Sequence, residues 1–488
     1  MTSFAHIRAL ARSGAVDRAW TLFQSGEGEP RDSFEGLCLR GRLLKDQARR
    51  AAGDARAALY RAAGEAYAAA AALAPATWPL INAATLALLG GRPDEAAALA
   101  QETLDRLDSG AHVEETPYWL AATRAEALLL LGRPAAAEAA LDAALAAAPA
   151  AWEDQAVTLR QFALILEAVG TDIGWLDRFR PPPSLHFRGI MGLAPDDTDA
   201  ARLIDAAVAA ARPGFAFGAL AAGADILIAE AVIRRGGELH VVLPCRADIF
   251  RAQSVTVVDQ RWGPRFDALI EGAVSVEAIE DHAAPGPAAI AIGDAMARGL
   301  ALAQARLLQS RALALNVTDP GGDATIDPGW AAAGGETRAL ALSRSAEVPA
   351  LSEPLPPAAV ALVAIAGGAA LSDFPLDGAL WLERIDDTLL LALPDPAAAV
   401  RAAGTLAADG RATAGLALDY GLAINGRLSA FVAGRSATIA RAAGAERWLA
   451  SRPMALALEC AMPRLRIEVA GDVRGASGAH MIYTVAAQ

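Results

Sequence analysis

The chain has 488 residues, too many for one ordinary domain and enough for about three. Hydrophobic residues make up 54% of it and charged residues 20%, which excludes a disordered chain. The net charge of −13 argues against a general nucleic-acid binder, which would carry a basic face, while leaving room for a local basic pocket.

Of the 43 basic residues only Lys45 is a lysine. A phosphate-binding P-loop needs a lysine after its glycines, and Schiff-base chemistry needs one as nucleophile. Lys45 instead sits in a helical run, Arg40-Gly-Arg-Leu-Leu-Lys-Asp46, with no glycine-rich loop before it. Cys38, Cys245 and Cys460 form no CxxC pair, which argues against a zinc ribbon and for a reducing compartment. Cys245 follows Pro244 at a strand end, where a reactive thiol could sit, although a buried inert cysteine is the commoner case. No two of the six histidines have the spacing of a helical metal pair. His240 alternates within a strand and reads as structural, and Asp281-His282 reads as solvated. No Gly-x-Ser-x-Gly elbow supports a serine hydrolase. The first residues carry charges where a signal peptide needs an apolar core. The longest uncharged run, 66–91, holds Pro75, Pro79 and Asn82 and reads as helices, not a membrane span. The expectation is a cytoplasmic protein.

Residues 1–180 read as helices. Gly91-Arg-Pro93 and Gly132-Arg-Pro134 follow the similar apolar helices Leu80–Leu89 and Tyr118–Leu131, and each opens another Ala-rich helix. Ser13-Gly14 marks an earlier hairpin, and a helical stretch runs from Leu43 to Leu73. With Gly132 set as an inter-helix glycine, Ala125, Ala137 and Ala144 supply small residues for close helix approach, and Pro149 ends the second helix. This pattern resembles a tetratricopeptide-repeat (TPR) solenoid. The resemblance implies a groove for a protein partner.

Pro181-Pro-Pro183 reads as a linker, after which strands and helices alternate over 184–345. Strands are expected at Leu185–Ile190, Phe215–Leu220, Glu238–Pro244 and Arg311–Val317. Helices are expected at Asp199–Ala211, Gly223–Ile233 and Gly299–Leu308. This alternation implies a parallel sheet with helices on both faces and ligands at the carboxyl ends of the strands. Those ends carry Gly189, Gly218, Gly223, Pro244 and the Asp319–Gly322 turn. Glycines there either bring backbone N–H groups close to a phosphate or are ordinary turn glycines. Asp225 is either a ligand-facing acid or a helix N-terminal charge. Glu230 reads rather as a structural carboxylate, though a nucleotide-processing enzyme would draw its acid–base group from these two. Gly218-Ala-Leu-Ala-Ala-Gly-Ala-Asp-Ile-Leu-Ile-Ala-Glu230 and Glu238–Pro244, followed by Phe250, Ser254-Val255, Trp262 and Arg265-Phe266, resemble a bacterial Rossmann-like, SLOG-type module. In that arrangement it lies between TPR repeats and a nucleotide cyclase domain. The resemblance implies a nucleotide-derived ligand, bound through Gly189, Gly218, Gly223, Asp225, Glu230 and Pro244. The chain departs from the module where Gly189 precedes Ile190 in place of a histidine, and where the later Gly-Thr turn is reduced to Asp323-Ala-Thr325.

Ser352–Pro357 reads as a second linker, and 357–488 as an α+β domain. Strands are expected at Ala358–Ala366, Gly378–Ile385, Thr388–Leu393, Thr413–Tyr420 and Leu465–Val469. Helices are expected at Asp395–Asp409 and Arg435–Ala443, with Asp386-Asp387 at a hairpin turn. Asp386–Ala403, Gly415–Gly421 and Gly434–Ala442 resemble a class III nucleotide cyclase domain, which implies a ferredoxin-like fold, a dimer and two-metal chemistry. The resemblance places the first metal carboxylate at Ala364, which cannot bind a cation, and the second at Asp387. Its transition-state positions fall near Thr438 and Ala442, with Arg441 one residue out of phase. Asp373 and Asp377 lie nearby.

The expectation is therefore a multidomain protein: an all-α TPR-like solenoid, an α/β Rossmann-like parallel sheet, and an α+β cyclase-like domain without its chemistry. It is read as a non-catalytic scaffold with a possible nucleotide ligand, no certain cofactor and no metal. Its partners would be a protein bound through the TPR groove and a second cyclase-like domain, its own or a homologue's. The alternatives are a weakly active cyclase using Asp387 and an enzyme built on the central module.

Overall fold

Small residues and left-handed glycines set the helix pairs of the N-terminal region. The computed structural model describes residues 3–12, 16–25, 29–279, 284–323, 328–348, 357–367, 378–408, 415–444, 448–476 and 478–487. The chain divides into two units, Met1–Pro181 and Pro182–Gln488.

The first unit runs α1 (Phe4–Arg12), α2 (Val16–Gln24), α3 (Phe34–Ala48), α4 (Gly53–Leu73), α5 (Thr77–Leu89), α6 (Pro93–Ser109), α7 (Pro117–Leu130), α8 (Pro134–Ala147), α9 (Trp152–Ala168) and a 3-10 turn, Gly174–Phe179. Consecutive helices pair, α3 with α4, α5 with α6, and α7 with α8. The two Gly-Arg-Pro triplets close their helices identically. Gly91 (φ +79°) and Gly132 (φ +67°) are left-handed. The N–H of Arg92 donates to Ala87 O at 2.8 Å, and that of Arg133 to Leu128 O at 2.9 Å. Pro93 and Pro134 then start the next helix, where a missing N–H costs nothing. Ala125, Ala137 and Ala144 are wholly buried, as small residues at a close helix–helix contact must be. The hairpin expected at Ser13-Gly14 lies outside the described residues.

Helix α9 packs against α5 and α7. Its Leu159, Phe162, Ile165 and Leu166 join Ala125, Leu129 and Leu141 in one core cluster. Polar contacts continue across the same helices. Lys45 Nζ on α3 donates to Asn82 Oδ1 on α5 (3.2 Å) and to Gln161 Oε1 on α9 (2.8 Å). Thr85 Oγ1 donates to Glu126 Oε1 (2.5 Å), and Tyr118 Oη lies 2.8 Å from Thr158 Oγ1. Polar side chains of α3 and α7 are thus met by α9, while those of α5 are met by α3 and α7.

The second unit begins with β1 (Ser184–Arg188), α10 (Thr198–Ala211), β2 (Phe215–Gly218), α11 (Ala224–Arg234), β3 (Glu238–Leu243) and α12 (Ala247–Phe250), which runs into a π turn, Arg251–Val255. It continues with α13 (Trp262–Gly272), β4 (Ser275–Ala278), α14 (Pro287–Leu307), β5 (Ala312–Thr318), α15 (Pro328–Ala332) and β6 (Glu336–Ala341). These six strands form a parallel sheet in the order β4-β3-β2-β1-β5-β6. Leu185 and Phe187 on β1 join the core built with α10, α11 and α13, while His186 between them faces α14. The helix expected at Gly299–Leu308 begins at Pro287, because proline is favourable at the first helical position and does not mark a loop there.

A mixed sheet follows, made of β7 (Ala358–Ala366), β8 (Trp381–Ile385), β9 (Thr388–Leu393), β10 (Leu416–Ile424), β11 (Arg427–Leu428), β12 (Trp448–Ser451), β13 (Leu465–Gly475) and β14 (Gly478–Ala487). Its order is β13-β14-β12-β10-β7-β9-β8, with β11 paired to β10. Helices α16 (Pro396–Ala408) and α18 (Arg452–Ala461) cover one face, and α17 (Ala430–Ala442) the other. The strand expected to stop at Val469 runs to Gly475, past a bulge at Gly471 (φ +124°). Asp419 on β10 is fully buried and accepts from Arg435 Nε (2.9 Å), Ser436 Oγ (2.7 Å) and Ser451 Oγ (2.5 Å), pinning α17 and β12 to the central strand.

The two sheets meet within this unit through α14 and α18. A Cβ on Gly299 would stand 2.1 Å from Leu456 O, so only glycine permits that crossing. Arg306 pairs with Glu459 (2.5 Å), and Arg452 reaches Glu277 on β4 (2.8 Å).

Candidate ligand-binding cleft

The strand order reverses at β1, which has β2 on one side and β5 on the other. In open parallel sheets this is the crevice where ligands sit. A cleft of about 710 Å³ opens there, lined by the ends of β1, β2, β3 and β5 and by the first turns of α14. Gly189, Gly218, Asp225 and Pro244 all line it, as do Asp319 and Asp323, whereas Thr325 lies outside the described residues.

Two glycines shape the floor. A Cβ on Gly189 would stand 2.3 Å from Ala224 Cβ, so β1 can end against the start of α11 only without a side chain. Gly223 caps α11 with φ +108°, and a Cβ there would meet Ile190 O at 2.8 Å. The N–H of Ala224 donates to that same oxygen at 3.1 Å. Gly223 therefore shapes the loop beneath the cleft and does not line it.

Two carboxylates in the cleft have opposite surroundings. Asp294, on α14, lies 2.9 Å from His186 Nε2, 2.7 Å from Arg298 and 3.9 Å from Arg188. Burial alone would raise its carboxyl, but His186, Arg298 and Arg188 hold it well below the usual carboxylate range. Asp225, in the first turn of α11, is 5% exposed. Its Oδ2 accepts from the Ala221 N–H at 3.2 Å, and among the described residues its Oδ1 has no hydrogen-bond partner. Burial pushes this carboxyl up to about 8, opposed by the Ala221 and Gly189 N–H groups and reinforced by the Asp294 charge. Asp294, Arg298, Arg188 and His186 are not among the ligand-binding residues expected from the sequence. The signal for two of them is the four-residue spacing of Asp294 and Arg298 on one helix.

Glu230 is not part of the cleft. Its Oε1 accepts from Arg265 Nε at 2.7 Å, and Arg265 lies over the Trp262 ring at 4.3 Å and donates to Pro195 O at 3.0 Å. It joins α11 to α13. Cys245 is buried, and burial pushes its thiol up to about 11. His240 Nδ1 lies 2.9 Å from Ser275 Oγ and its ring stacks on Phe217 at 4.7 Å.

A second cavity of about 760 Å³ adjoins the β8–β9 hairpin and α17, lined among others by Asp386, Phe431, Thr438, Arg441 and Arg474. Asp387, 62% exposed on the hairpin, pairs with Arg441 at 3.5 Å. Ala364 is fully buried in the core beneath α17, with Leu390 and Ile439. Thr438 Oγ1 donates to Gly434 O at 2.8 Å. At the position that the cyclase resemblance gives to the first metal carboxylate, Ala364 offers only a methyl group. Asp373, Asp377 and His282 lie outside the described residues. Among the described residues no group of three or more His, Cys, Asp or Glu is placed to hold a metal ion, and no helix is long and apolar enough to cross a membrane.

Compared with known proteins, no curated protein matches the chain. Residues 1–87 match the model of a family described as TPR-S, Tetratricopeptide Repeats-Sensor. The match spans α1 to most of α5 and stops before the Gly91 and Gly132 turns. It supports a TPR-containing protein, whose helical region is followed by a parallel sheet and a mixed sheet.

Proposed function

We propose that the protein is a non-catalytic regulatory scaffold in which the parallel-sheet cleft binds a small nucleotide-like ligand. The observation that carries this reading is the cleft itself: a crevice at the β1/β5 reversal, holding a buried carboxyl with an unpartnered oxygen. Arg188 and Arg298 line it, shared with Asp294, and the helix start of α14, whose first turn carries no acidic residue, is the part of the wall suited to an anionic group, whereas Asp319 and Asp323 add negative charge to the lining. Apolar Ile190, Val242, Phe250 and Ile290 offer contact to a flat ring. TPR-type repeats suggest a protein-interaction or regulatory role, assigned here to residues 1–180. The finer assignments are a SLOG-like module for 184–345 and a degenerate cyclase homology domain for 357–488. They rest on motif resemblance, as does pairing of the latter with its own kind.

Thermal unfolding of the full chain against nucleotides, with and without Mg²⁺, tests the reading. A ligand at 100 times its Kd adds about 2.7 kcal/mol to the stability of what binds it. Ala291, exposed at the cleft wall, is the place to block: Ala291→Trp should abolish the shift. A shift that survives Ala291→Trp places the ligand elsewhere and refutes the reading.

A second reading, a weakly active cyclase, has one observation in its favour, the Asp387–Arg441 pair beside the second cavity. Nucleotide turnover with Mn²⁺ that disappears in Asp387→Ala would establish it.

A further inference from the structure

The cleft treats its two buried acids unequally. His186, Arg298 and Arg188 gather on Asp294. Asp225 receives only backbone N–H groups: Ala221 on Oδ2, with Gly189 nearby. The charged groups facing it from the neighbouring elements are Asp294 on α14 and Arg188 at the end of β1, one of each sign. A buried carboxylate without a dedicated cation is strongly disfavoured, and it relieves the cost by holding its proton. Among the described residues Oδ1 has no hydrogen-bond partner, and it is closed off from solvent, so the proton meets a ligand where the Asp225 carboxyl lines the cleft.

We propose that Asp225 is a hydrogen-bond donor toward the bound molecule, and that the cleft selects a ligand presenting an acceptor atom to its carboxyl. The inference rests on the cleft being a ligand site, as proposed above. It adds the chemistry of the inserted edge. An unprotonated ring nitrogen or a carbonyl oxygen of a heterocycle fits. An N–H or ammonium group facing the carboxyl proton would be opposed until the proton moved or was lost. The apolar walls from Ile190, Val242, Phe250 and Ile290 suit the faces of the same ring. Asp225 is thus a specificity-determining contact, and the donor is lost when the group ionises.

The test is calorimetric titration of the full chain with AMP, ATP and NAD, whose adenine rings do not titrate between pH 7 and pH 9. With an apparent value of about 8, the protonated fraction falls about tenfold over that range, and affinity falls with it. Asp225→Asn keeps a donor and should bind with little pH dependence. Asp225→Ala should lose at least tenfold at pH 7. Binding that is indifferent to Asp225→Ala, or that tightens toward pH 9, overturns the donor role and leaves the cleft reading intact. Binding indifferent to Ala291→Trp, or no binding of any of the three probes, overturns both. A carboxyl ¹³C titration of the unliganded chain gives a readout independent of ligand. Asp225 should titrate near pH 8, and a midpoint below pH 5 overturns the inference.

Discussion

Asp225 also makes a statement about stability. Its folded-state value of about 8 stands above the ~3.9 of an unfolded aspartate. Between these values the folded chain holds a proton that the unfolded chain has released. Stability from this group is therefore complete at low pH and declines as pH rises through the window, by at most ~1.4 kcal/mol per pH unit. Asp225→Asn should remove that slope, so chemical unfolding of wild type and variant should diverge between pH 5 and pH 8. Asp419 is a different case, a buried carboxylate ringed by Arg435, Ser436 and Ser451. Asp419→Ala removes the partner that the buried Arg435 faces and should cost about 3–5 kcal/mol, whereas Ser451→Ala, which loses one hydrogen bond to Asp419 and the cap of α18, should cost about 2–3 kcal/mol. Burial raises the thiols of Cys38 and Cys245, to about 12 and about 11. Neither should react with iodoacetamide at pH 7.5 until the chain is denatured, and labelling followed by mass spectrometry checks this.

Among elements, those with a strong internal rhythm were readable from sequence. β7 and β9 are continuous apolar runs with the expected bounds, Ala358–Ala366 and Thr388–Leu393. The strand-end rule located the elements around the cleft. It could not supply Asp294 and Arg298, because Pro287 and Gly286 looked like loop residues and hid the first three turns of α14. β4 and β6 lie at the edges of the parallel sheet with partly exposed side chains, so no apolar run announces them. β12, α18 and β14 do not stand out by sequence pattern either. The start of α18 is written in Ser451, whose side chain accepts from the Met454 N–H, and in Pro453 just inside the helix. The place of α9 was not readable either, since it depends on contacts far apart in sequence, such as Lys45 with Gln161. Burial brings the Lys45 ammonium down to about 8 and raises the Glu126 carboxyl. Lys45→Met would leave Asn82 Oδ1 and Gln161 Oε1 without this donor. It should destabilise the helical unit by about 1–3 kcal/mol, read from urea unfolding by circular dichroism.

For the second unit as a whole, the elements of the parallel and mixed sheets approach each other closely at Gly299. At Gly299 the backbone of α14 touches that of α18, and a methyl group there would overlap Leu456 O. Gly293 on the same helix is the control, because its added Cβ would stand 3.6 Å from Pro244 in ordinary contact. Gly293→Ala should be neutral or stabilising, since alanine is the better helix former by about 1 kcal/mol. Gly299→Ala gains the same propensity but should lower the unfolding temperature and split the thermogram, as the two sheets lose their common seat.

Helix α14 therefore belongs to two places at once. Its first turns line the cleft with Ile290, Asp294 and Arg298, and its later turns carry Gly299 and Arg306 against α18. A helix of 21 residues is about 31 Å long and has no proline inside it to act as a joint. One continuous helix thus serves both the ligand cleft and the contact between the two sheets.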